Sequence, residues 1–197
     1  MANVLLSTLL PLMRLRRCPE NLMLQELRNA HRQFCIDTEI WQEALPDIDS
    51  VEDQVDYQLT AVPGDTYIHR VVEVYIDTAY QYEYQWSVSN DMILTLDSAP
   101  VEEDTPIKVK VVYIPTFTNI NAINWLSQEY GMAIAKGAEA RLKEDPVSAE
   151  DPVPWFDPSG ALTAQVKYDD GVVSAKANRL EKRQSANMQA HLPSFYL

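Results

Sequence analysis

The spacing of apolar residues changes twice along this chain, from helical to alternating and back to helical. Met23, Leu27, Ala30 and Phe34 recur at intervals of four, three and four, which lines them along one side of an α-helix. Between Pro46 and Pro115 the period is two, as where Val55, Tyr57 and Leu59 alternate with Asp56 and Gln58. Beyond Asn121 the helical stripe returns in Trp125, Tyr130, Ile134, Ala138 and Leu142. These switches predict an α+β fold, a helical bundle of long helices with an inserted small antiparallel β-sandwich or barrel. The expected organisation is a discontinuous helical domain over residues 1–45 and 116–190, an inserted β domain over 46–115, and a C-terminal tail over 191–197.

Local signals refine this outline. Residues 4–10 read either as one short helix or as a segment lying against a neighbour. Pro19 suits the first position of the next helix, where a missing N–H costs nothing, and that helix is expected to end near Thr38 to Trp41. Five strands are expected in the middle: around Val55–Leu59, Tyr67–Ile76, Tyr82–Val88, Met92–Leu96 and Ile107–Tyr113. Gly131, Ala133, Ala135, Gly137, Ala138 and Ala140 make the following helix unusually small-sided, so another helix can approach it closely. Asp145 to Pro158, rich in proline and acids, reads as a long loop. Asp157-Pro158 then caps a last helix running to about Ser185, with Leu162, Val166, Val173 and Leu180 as its apolar side.

Charge narrows the functional classes. Twenty-nine acids against sixteen bases give a net charge of −13. Affinity for nucleic-acid backbones comes from Lys and Arg displacing counterions, so sequence-specific DNA or RNA recognition is not expected. Cys18 and Cys35 have no metal-type neighbours, and two buried thiols are expected ahead of a disulfide. Arg14, Arg16 and Arg17 follow the apolar run Val4–Met13 instead of preceding it, the wrong order for a signal peptide. The run is also far shorter than the ~20 residues of a membrane span. No membrane association is expected.

Residues that could carry chemistry are present but not grouped. The five glycines are scattered, and none forms a phosphate-cradling loop with Lys-Ser or Lys-Thr. His31, His69 and His191 fall on different elements and read as structural. Asp47, Asp49 and Glu52 resemble the start of a calcium loop, but no glycine turn or closing Glu follows. Glu102, Glu103 and Asp104 read as a solvated loop and not as acid–base machinery. Tyr80, Tyr82, Tyr84 and Trp86 alternate, which predicts one aromatic face that is a packed surface or interface sooner than a ligand platform. No cofactor, metal or catalytic residue is expected, and the chain is read as a non-enzyme.

Two segments carry a resemblance to a known family. The first is Cys18-Pro19-Glu20 followed by Leu27-Arg28, Ala30, Phe34-Cys35, Thr38 and Trp41. The second is Tyr130-Gly131, Ala133-Ile134, Gly137-Ala138, Ala140-Arg141-Leu142, then Pro154-Trp155 and Asp157-Pro158. In this order around a β-rich middle, with Asp53, Tyr57 and Leu59 at its opening strand, they resemble the head-to-tail adaptor (connector, head-completion) proteins of tailed bacteriophages. The long acidic loop and C-terminal extension depart from shorter relatives and carry no transferred role.

The resemblance implies a structural virion protein at the neck, assembled in the host cytoplasm. It implies a closed homo-oligomeric ring, of twelve copies, under the portal protein. Tail or nozzle proteins would bind the far side, and double-stranded genome DNA would pass non-specifically down the axis. Two expectations about residues accompany it. Leu192, Phe195, Tyr196 and Leu197 are expected to anchor the portal or an adjacent subunit, because exposed aromatic and aliphatic residues at a chain end gain by burial elsewhere. Glu102, Glu103 and Asp104 are expected to line or rim the channel. The competing readings are a tail-tube, nozzle or baseplate protein, which would be richer in sheet, and a carbohydrate-binding module using the Tyr80–Trp86 face.

Overall fold

The computed structural model describes residues 3–60, 65–82, 85–100, 102–145 and 153–190, with side chains as far as 181. The chain divides into two compact units, one formed by Met1–Ile40 with Phe117–Leu197 and the other by Trp41–Thr116.

The first unit begins with a short strand, β1 (Asn3–Leu5), and a 3-10 helix over Leu6–Leu12. Helix α1 (Glu20–Thr38) starts directly after Pro19 and ends where Glu39 turns left-handed, at φ 48°. Glu39 is held there by its N–H, which donates to Cys35 O at 2.9 Å, and by its carboxylate, which takes Arg179 at 2.7 Å. Strand β10 (Asn121–Ile123) pairs antiparallel with β1 and leads into α2 (Asn124–Glu144). Helix α2 is buried nearly all round from Ala133 to Ala140, which its alanines and glycines permit because neighbours can approach on every side.

The last helix, α3 (Pro158–Ala190), runs antiparallel to α2. A side chain at Gly137 would meet the Tyr168 ring at 2.5 Å, and one at Gly171 would collide with Ala133. Only glycine lets the helices lie this close. The Tyr168 ring closes a cluster with Phe34 (centroids 6.0 Å apart), which in turn meets Tyr130 at 5.4 Å. Polar ends of the same rings are tied across helices. Tyr168 donates to Asp37 Oδ2 at 2.9 Å, and Asn178 donates to the Tyr130 hydroxyl at 2.7 Å.

The second unit holds β2 (Gln42–Ala44), β3 (Ile48–Asp49), β4 (Asp56–Gln58), β5 (Thr66–Ile76), β6 (Ala79–Gln81), β7 (Trp86–Val88), β8 (Ile93–Leu96) and β9 (Pro106–Pro115). Two antiparallel sheets result. One has the order β2-β9-β5-β6 with β3 also on β9, and the other the order β4-β8-β7. Strand β9 is the hub, buried along most of its length and paired with β2, β3 and β5. Pro46 separates β2 from β3 because it has no N–H to give to the ladder. Bulges in β5 near Ile68–Arg70 and Val71–Glu73 bend the long pair and let Val71 and Val72 both be buried.

The architecture corrects the expected fold class. A helical bundle of long helices with an inserted small sandwich or barrel is not what forms. Among the described residues there are four helices, one of them a short 3-10 helix, and three separate antiparallel sheets. One sheet, β1-β10, belongs to the helical unit itself. The inserted segment makes two sheets because the expected strand Tyr82–Val88 does not exist as a unit. Residues 79–81 pair with β5, whereas 86–88 pair with β8 in the other sheet.

Candidate functional site

Helix α3 has two apolar sides, and they differ in kind. At 100° per residue, Ala161, Ala164, Tyr168, Gly171 and Ala175 share the side packed on α2 and α1. Leu162, Val166, Val173 and Leu180 lie on the opposite side, within about 40° of one another around the axis. They are 72%, 58%, 67% and 53% exposed, respectively. These four were expected to pack as the apolar side of the helix. The reverse is found, because the small side fits the narrow gap to α2 and the larger aliphatic side does not. The stripe runs for about 27 Å along the helix. Single exposed aliphatic residues are ordinary, but four in line on one helix, with the exposed Asp169, Asp170 and Lys176 between them, make a candidate interaction surface.

The first turn of α3 is anchored from below by buried charge. Glu139, on α2, accepts from Lys136, from Lys143 Nζ at 2.9 Å and from the backbone N–H of Arg14 at 3.2 Å. Burial alone would raise the Glu139 pKa, but these hydrogen bonds and the Lys136 charge outweigh it and hold it below the usual carboxylate range. Lys143 reaches on to Asp157 at 3.4 Å, and Asp157 accepts from Gly160 N–H at 2.9 Å and from Ser159 at 3.0 Å, capping α3. The Gly160 bond is the main reason that the Asp157 pKa is lowered. One ionic chain thus joins the segment after the 3-10 helix, α2 and the start of α3. Its sequence signal is the Lys136, Glu139, Lys143 spacing of three and four on a small-sided helix, a spacing too common on helices to mark a buried ion chain by itself.

The acidic turn is well defined. Ser50 binds it four ways: its hydroxyl donates to Glu102 O at 2.7 Å and accepts from Thr105 N–H at 3.0 Å, its carbonyl takes Asp104 N–H at 3.0 Å, and its own N–H donates to Thr105 O at 3.0 Å. Asp104 is left-handed at φ 56°, a conformation Asp tolerates. The side chains of Glu102, Glu103 and Asp104 are all exposed. Leu192, Phe195, Tyr196 and Leu197 lie outside the described residues, as does most of the acidic loop that follows Asp145.

Other candidates resolve singly. His31 is 1% exposed on α1, Nε2 lacks a hydrogen-bond partner, and burial lowers its pKa to about 4. His69 is exposed on β5, and His191 lies outside the described residues. Cys18 and Cys35 are free and buried, and burial raises both thiol pKa values. The aromatic series does not form one face. Tyr75, Tyr80 and Tyr82 stack edge to face at 5.3 and 5.6 Å, Trp86 belongs to the other sheet, and Tyr84 lies outside the described residues. Among the described residues no three of His, Cys, Asp or Glu are placed to hold a metal ion, and no helix is long and apolar enough to cross a membrane.

No protein-family model matches the chain, and no curated protein matches it.

Proposed function

We propose that this chain is a structural protein of a tailed-phage virion, a head-to-tail adaptor that forms a ring of twelve beneath the portal and receives tail or nozzle proteins on its far side. The observation that carries the reading is the aliphatic side of α3. Among the described residues Leu162, Val166, Val173 and Leu180 face outward while the same helix is packed on its other side, which offers them to another protein. The ordered motifs of α1, α2 and the Asp157-Pro158 cap, which resemble the adaptor family, supply the kind of assembly. The three long helices favour an adaptor over a sheet-rich tail-tube, nozzle or baseplate protein. Edge-to-face tyrosines offer no flat platform for a sugar ring, which disfavours the carbohydrate-binding reading.

In this assembly each copy presents one surface to a different surface of the next, a heterologous contact that closes on itself. The Glu102–Asp104 turn is assigned to the rim of the axial passage. Its repulsion reaches about 8 Å at physiological salt, enough to keep DNA centred without blocking it. Residues Leu192, Phe195, Tyr196 and Leu197 are assigned to a portal or neighbour pocket. Cryo-electron microscopy of particles tests the reading, with the chain expected as twelve copies at the neck. Another copy number there, or density for the chain elsewhere in the virion, overturns it. Particles grown with the Val173→Glu chain are expected to lack the ring.

A further inference from the structure

Opposite charges stand on one flank of the exposed α3 stripe, on either side of its middle, with Asp170 on the other flank. Val173 is central, with Val166 seven residues before it and Leu180 seven after. Asp169 stands four residues before Val173 and Lys176 three after, both exposed and on the same flank, about 20° apart around the axis. We propose that in the free protein this face is covered by the same face of a second copy, the two α3 helices lying antiparallel about a two-fold axis near Val173. The proposal rests on reading α3 as an assembly surface and names its occupant before the ring forms.

Antiparallel pairing sets Val173 on Val173 and Val166 against Leu180 of the second copy, so aliphatic residues meet along the seam. It also brings Asp169 beside Lys176 of the second copy, and the two-fold axis repeats that pair. In an antiparallel helix pair, same-flank positions face one another, which is why one flank carrying both signs matters. A parallel pair would instead place this flank of each helix on opposite sides of the seam, so Asp169 would not meet Lys176 of the second copy. One oxygen of Asp169 already takes the Gln165 amide at 2.9 Å, and a carboxylate has further acceptor positions for a lysine. The contact is isologous, so it closes at two copies and cannot propagate. A single pair of helices is a small interface, and association in the micromolar range is expected.

Sedimentation equilibrium of the full chain, over a series reaching high micromolar concentration, reads the proposal. The wild-type mass is expected to approach twice 22.4 kDa. Val173→Glu is expected to stay at the single-chain mass with an unchanged thermal melt, since the residue is two-thirds exposed. Asp169→Lys and Lys176→Asp each place like charges across the seam and are expected to weaken pairing roughly tenfold. The two together reverse the pair and restore it to within about twofold. A wild-type chain that remains single throughout, a pairing indifferent to Val173→Glu, or a charge reversal that restores nothing each overturns the proposal. Particle incorporation is read separately. A single-chain wild type whose Val173→Glu form still fails to enter particles refutes the pairing and leaves the assembly surface standing.

Discussion

His31 makes a quantitative prediction about acid. It is buried on α1, its Nε2 has no partner, and its pKa lies at about 4 against 6.5 for an unburied imidazole. Protonation is therefore easier in the unfolded chain, so stability is complete above pH 6.5 and is lost as pH falls from 6.5 towards 4. Proton linkage with these two values gives a loss of roughly 1 kcal/mol by pH 5.5 and roughly 2–3 kcal/mol by pH 4.5. Against the ~5–15 kcal/mol by which a domain is stable, the second figure is a substantial fraction. Lowering the pH also reduces the net charge of −13 and relieves self-repulsion, which acts in the opposite direction. The comparison must therefore be with His31→Leu, which shares that background, keeps similar volume and removes the titration. Urea unfolding of both proteins at pH 7.5, 5.5 and 4.5 should show the stability gap moving in favour of His31→Leu by the amounts above. The Glu139 carboxylate, held below its usual range, adds its loss only under more acid conditions and in both proteins. Equal losses in the two proteins between pH 7.5 and 4.5 would refute the assignment of the acid sensitivity to His31.

Four further outcomes are expected. Gly137→Ala should lower the melting temperature despite the better helix propensity of alanine, because the new methyl meets the Tyr168 ring at 2.5 Å, and overpacking costs ~1–3 kcal/mol. Glu139→Gln should cost ~3–5 kcal/mol in urea unfolding by leaving Lys136 buried without its carboxylate, and pairing it with Lys136→Met should recover much of the loss. Removal of residues 190–197 should leave the far-ultraviolet circular dichroism and melt unchanged while reducing incorporation into particles; normal incorporation would make the tail dispensable. Replacing Glu102, Glu103 and Asp104 with lysine should slow DNA ejection at low salt and recover as salt rises, and unchanged kinetics with the ring assembled would place the turn on the outside.

How much was legible in the sequence depended on whether one signal or two competed for an element. Helix α1 has one apolar stripe and a proline before it, so both its bounds and its packed side could be read from Pro19, Leu27, Ala30 and Phe34. On α3 two stripes compete. Hydrophobicity singles out Leu162, Val166, Val173 and Leu180, but packing selects the other side, where alanine and glycine let α2 approach closely and Gly137 makes room for the Tyr168 ring. The separate sheets were hidden for a related reason. Alternation continues through Tyr80, Tyr82 and Trp86 as if through one strand, and nothing in a period of two reveals that the chain leaves one sheet and enters another. The short strands β1 and β10 and the Lys136–Glu139–Lys143 ladder carry too few residues, or too common a spacing, to stand out before their partners are known.

Strand β9 has a consequence for the order in which the protein is made. It is synthesised last within Trp41–Thr116, yet β2 and β3 have it as their strand partner and β5 pairs with it along most of its length. Translation therefore delivers three strands that stay without their shared partner until residues 106–115 emerge, and then closes the sheet in one step. The first unit waits longer still, because α1 can meet α2 and Tyr168 only after the inserted unit has been completed. During synthesis the part of α1 that packs on α2 and α3 stays without those partners for the length of the whole insertion, and exposed apolar surface of that kind is prone to aggregate.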